Sequence, residues 1–141
     1  MNSLNNEQRD AILLLLYMIA VFDYPIVDDT ERAQLLHVSK MIDYDLDIDK
    51  IPTMINDDSV RKSKAMVSNL SDYMKDWFIL WAYEITMCSP TNEQAEQKQK
   101  LCALIYSQIG TTHDNTRRVI KECQELYKYV SSKLLSQNEK E

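Results

Sequence analysis

One glycine, three prolines and three cysteines are all that these 141 residues contain of those types. Sheets and long loops use glycine wherever the backbone needs positive φ, so a lone Gly110 excludes an architecture rich in tight turns. No segment alternates β-branched and polar residues, and none reads as a strand. Cys88, Cys102 and Cys123 are odd in number and widely spaced, which does not fit a disulfide framework. Without a Cys-x-x-Cys or a histidine pair there is no zinc motif either. The thiols read as small core residues in a reducing compartment, and the chain as cytoplasmic. His37 and His113 are the only histidines. The chain has no His-Glu-x-x-His and no phosphate-cradling glycine loop. A Cys102–His113 nucleophile and base is conceivable, but nothing in the sequence places the two together. The expectation is a protein that is not an enzyme.

Apolar residues make up 45% of the chain, enough for one domain with a real core. The expected domain is residues 1–141, with a core over about 5–135 and a polar tail from 136. The apolar run 11–22 is shorter than the ~20 residues a bilayer span needs. Glu7, Arg9 and Asp10 precede it, unlike the basic start of a signal peptide. It reads as a central helix, apolar on all sides at 13–16. Residues 1–58 carry 12 acids and 4 bases, and residues 59–141 carry 10 and 12. An acidic first half and no basic stripe speak against nucleic-acid binding.

Helices are expected over about 5–22, 28–43, 57–87, 91–110 and 112–135. The third is either continuous or broken near 68–71. Asp28-x-x-Glu31 and Thr91-x-x-Gln94 resemble capping boxes, Asp57 or Asp58 can cap the third helix, and Thr112 or Asp114 the last. Gly110 stands where a helix C-terminus takes a left-handed residue. Leu35, Val38 and Ile42 form one expected buried stripe. Leu101, Leu104, Ile105 and Ile109 form another. The last helix carries Val119, Cys123, Leu126, Tyr127, Val130 and Leu134. The segment 43–49 has an acid at every second position, but an EF-hand needs glycine at the sixth place and glutamate at the twelfth, and neither is present. It reads as an extended linker with Leu46 and Ile48 turned inward. Trp77, Phe78, Trp81 and Tyr83 make the 72–87 segment the aromatic helix. Core packing accounts for most of them, and a surplus face around Trp77 and Trp81 is the candidate for a protein partner or self-association.

The order helix, turn with proline, cap, helix occurs twice, around Pro25 and Pro90. A shift of 65 superposes the two prolines, and a shift of 66 superposes Leu35 on Leu101. Two αα-hairpins are therefore the expected frame of an all-α bundle of about five to seven helices. Asp23, Asp28 and Glu31 cluster at the first hairpin turn. Hard cations such as calcium or magnesium want several oxygen ligands, which these acids and turn carbonyls can supply. The helix N-terminus beside them favours the acids as a cap and disfavours a cation.

Ala20-x-x-Asp23 followed by Val27-Asp28-x-x-Glu31 resembles the turn motif of the TerB-like (tellurite resistance) family of small helical domains, over roughly residues 8–135. The family motif has the form Ala-x-x-Asp-Gly-x-Val-Ser-x-x-Glu. Here Tyr24 replaces its glycine, Asp28 its serine, and one residue is inserted. The second turn, 87–91, has no Asp, as in a divergent member. The resemblance implies a cytoplasmic binding or adaptor module in a bacterial stress or defence context. It also implies a divalent-cation site at Asp23 and Glu31, with Asp28 beside them. The alternative reading of the same chain is a helical assembly module, homodimer or hetero-complex, with no metal or small-molecule ligand.

Overall fold

A computed structural model of the chain describes residues 4–22, 27–45 and 47–139, with side chains to residue 134. Asp23, Tyr24, Pro25, Ile26 and Leu46 lie outside the described residues. Seven helices and no strand occur among those described: α1 Asn6–Ala20, α2 Asp29–Met41, α3 Ile51–Met54, α4 Asp57–Ser68, α5 Asp72–Met87, α6 Asn92–Gln108 and α7 His113–Glu139. The protein is an all-α bundle.

α1 is the central helix. It packs on α2, α3, α4, α5 and α6, and its residues 11–17, Ile19 and Ala20 are all buried. A helix with no polar face can be stable in water only if neighbours cover every side, and that is why the 13–16 block sits in the middle. α5 is the second pillar, touching α1, α2, α6 and α7. Its Phe78, Ile79, Trp81, Ala82 and Ile85 are buried.

The caps set where each helix begins. Asn5 and Gln8 form a full capping box on α1, and Asp28 and Glu31 form one on α2. Val27, just before the second box, packs against the core. The cap of α4 is Asn56, which accepts from Ser59 N at 2.8 Å, and not Asp57 or Asp58. Those acids lie in the first turn, where they complement the helix dipole. The 57–87 stretch is two helices. Asn69 and Leu70 close α4, and the Ser71 hydroxyl starts α5 by accepting from Met74 N. Thr91 caps α6 by accepting from Gln94 N, but the Gln94 side chain meets the Thr91 hydroxyl rather than the backbone, so the reciprocal bond of a full box is missing. Gly110 has φ +83° and follows the Ile109 C-cap. Thr112 Oγ1 accepts from Asn115 N at the start of α7.

Two further expectations change. The segment after residue 46 is not a plain linker: a 3₁₀ turn, Ile48–Lys50, leads into α3. Pro52 sits in the first turn of α3, where no N–H is needed, and Ile48 and Ile51 are buried. The buried stripe of α6 is Lys98, Cys102, Ile105, Tyr106 and Ile109. Leu101 is only partly buried and Leu104 faces solvent.

Candidate functional site

The acidic turn holds a buried ion pair. Asp28 Oδ1 accepts from Glu31 N at 2.7 Å, and Glu31 Oε1 accepts from Asp28 N at 3.3 Å. The other carboxylate oxygen, Glu31 Oε2, accepts from Lys98 Nζ at 3.0 Å. The two side chains are 5% and 1% exposed. Burial raises the Glu31 carboxyl above its ordinary value, and the Lys98 ammonium and the Asp28 amide pull it back only in part. The contact ties the α2 N-terminus to the middle of α6, 67 residues away. Both Glu31 oxygens are engaged, Oε1 by the Asp28 amide and Oε2 by the Lys98 ammonium. A cation at this turn has to displace that ammonium or draw on Asp23, which lies outside the described residues. No group of three Asp, Glu, His or Cys able to hold a metal occurs among the described residues.

The aromatic helix divides between core and surface. Trp81 is 1% exposed and belongs to the core, so it is not available to a partner. Trp77 is half-buried and packs on Trp81 with ring centroids 5.6 Å apart. Tyr73 stands edge-on to Trp77 at 6.3 Å and is 65% exposed. Four residues per step along one helix face produce this ladder, with its outer rung in water.

α7 contributes the other wall. Arg118 bonds Asp76 at 3.0 Å, Asn115 bonds Asp76 at 2.7 Å, and Gln124 bonds the Tyr83 hydroxyl at 3.1 Å. Residue numbers rise together on both helices, so α5 and α7 run parallel, offset by about 41 positions. Met87, the end of α5, is then level with about residue 129. The remaining ten or so residues of α7 outrun α5 by roughly 15 Å. Val119 and Cys123 are buried against the bundle, while Leu126, Tyr127, Tyr129, Val130 and Leu134 are exposed. The stripe expected to be core is core for its first two turns only. A groove of about 400 Å³ lies between the helices, lined by Tyr73, Trp77 and Leu80 on one side and Val119, Cys123 and Leu126 on the other.

A second concavity of about 660 Å³ opens where α5, α6 and α7 meet, and Cys102 and His113 both line it. The Cys102 thiol is buried, 3.6 Å from Thr86 Oγ1, and burial pushes its pKa up. That is opposite to what a thiolate nucleophile needs. His113 is exposed and its Nε2 accepts from Arg117 at 2.7 Å. The three cysteines are free, and Cys102 and Cys123 are buried.

Sequence reasoning placed Glu31 correctly at the cap and missed Lys98. A lysine in the buried register of an amphipathic helix carries no signal until its carboxylate partner is known. Comparison with family models, with curated proteins and with solved structures found no match.

Proposed function

We propose that the chain is a helical assembly module that works through the α5–α7 face. The observation that carries this reading is the bare stripe of α7: Leu126 and Tyr129 are exposed near the level where α5 ends, and Val130 and Leu134 carry the stripe past it into water. Scattered surface leucines need no explanation, but an apolar stripe continued past its own core does. The exposed Tyr73 and half-buried Trp77 extend the stripe onto α5. Aromatic anchors beside an apolar groove are what protein interfaces use. The resemblance to TerB-like domains agrees with this, since it too implies a cytoplasmic module that binds and does not convert a substrate.

The test is a photoreactive residue at Tyr129 in the full chain, expressed in cells, with the same residue at Lys62 on α4 as the control. A discrete adduct from position 129, absent from position 62 and abolished by Leu126→Glu with Val130→Glu, is the expected result. No adduct from position 129 overturns the reading.

A further inference from the structure

We infer that the occupant of this face is a second copy of the chain, with the two α7 helices antiparallel and each overhang seated in the α5–α7 groove of the other. The inference rests on the assembly reading above and adds the identity of the partner.

Geometry supplies the first argument. A two-fold axis between residues 127 and 128 sets residue i of one α7 level with residue 255 − i of the other. Positions 130 and 134 then fall beside the partner's 125 and 121. That is the stretch of α7 level with Leu80 and Glu84 of α5, which line the groove together with Glu122 and Cys123. The overhang of each copy thus reaches the groove of the other, and the contact closes on itself without further growth.

Charge supplies the second. Glu122 and Lys133 are eleven residues apart, three turns of helix plus ~20°, so they share one edge of the apolar stripe. A two-fold axis across the helices maps an edge onto itself. Glu122 of each copy therefore meets Lys133 of the other, twice. A parallel arrangement would instead set this edge against the opposite one, where Gln124 and Ser131 carry no charge. Glu122 is 64% exposed, and its neighbour Arg118 is 3.3 Å away on the body side.

Area supplies the third. Leu126, Tyr127, Tyr129, Val130 and Leu134 are 45–62% exposed. At ~200 Å² per large side chain these offer roughly 550 Å² per copy before the groove edge is added, toward the ~800 Å² per partner of a standard stable interface.

The experiment is light scattering on the purified full chain from about 1 to 100 μM at low salt, with circular dichroism to verify that each variant is folded. Wild type is expected at twice 16.5 kDa. Glu122→Lys alone and Lys133→Glu alone each set two like-charge pairs face to face and weaken the dimer about tenfold. The two changes together restore it to about the wild-type constant. Leu126→Glu with Val130→Glu gives a folded monomer. A monomeric wild type at 100 μM overturns the proposal, and so does a double charge swap no stronger than the single ones. An adduct from position 129 whose mass is not that of two chains removes the self-pairing and leaves the assembly reading standing. No adduct at all removes both.

Discussion

Replacing Lys98 with methionine tests what holds the two hairpins together. Methionine keeps most of the lysine stem, so packing changes little. What changes is that Glu31, 5% exposed, loses an ammonium 3.0 Å away. Removing one partner of a buried ion pair costs about 3–5 kcal/mol, because the other charge stays buried without compensation. For a chain of this size 1 kcal/mol moves Tm by roughly 3 °C, so the expected fall is about 10–15 °C. Urea unfolding followed by circular dichroism at pH 7 gives the free energy directly. The pH dependence has a definite sign. Glu31 already titrates above its ordinary value of 4.5 in the folded chain, and loss of Lys98 raises it further. A carboxyl with a raised folded pKa favours the fold fully below its unfolded pKa, and that contribution is lost as pH rises through the folded value. The deficit of Lys98→Met is therefore largest at neutral pH and above, and shrinks toward pH 4. Glu31→Gln combined with Lys98→Met removes both charges of this pair and recovers part of the loss at pH 7. A cost below about 1 kcal/mol at pH 7, or a cost that grows on acidification, would refute the reasoning.

Two further outcomes follow from the caps. Asn56→Ala removes the side-chain acceptor of Ser59 N and lowers stability by about 1 kcal/mol, whereas Asp57→Ala loses only a dipole interaction, about 0.5 kcal/mol; urea midpoints distinguish the two. Gly110→Ala places a Cβ in ordinary van der Waals contact with Lys75 Nζ at 3.8 Å, so its cost is the left-handed backbone alone, about 1–2 kcal/mol by the same measurement. A larger loss would mean that the α6–α7 turn is packed more tightly than its contacts show.

The local rules carried a good part of the fold. One glycine and the apolar period gave an all-α bundle, the apolar block at 13–16 gave the central helix, and Asp28-x-x-Glu31 gave a real capping box, because each depends on residues within one turn of each other. Neighbouring residues also told against one expectation at the α4 start, where Asn56 with Ser59 outcompetes Asp57. Three features were not legible. Lys98 is buried with Glu31, on another helix, as one of its counter-charges. Trp81 is interior while Tyr73, two turns earlier on the same face, is not, because neighbouring helices cover that face at Trp81 and leave it bare at Tyr73, even though the adjacent Met74 is buried. The stripe of α7 looks uniform in sequence, yet half of it is bare.

Amino-acid order by itself determined where most of the helices lie and the caps at Asp28 and Thr91, since those are contests between adjacent groups for a few backbone hydrogen bonds. Tertiary structure alone decided which lysine is buried, which tryptophan is hidden and how far α7 outruns α5. Burial is a property of what covers a side chain, and the covering atoms here come from segments about 40 to 70 residues away.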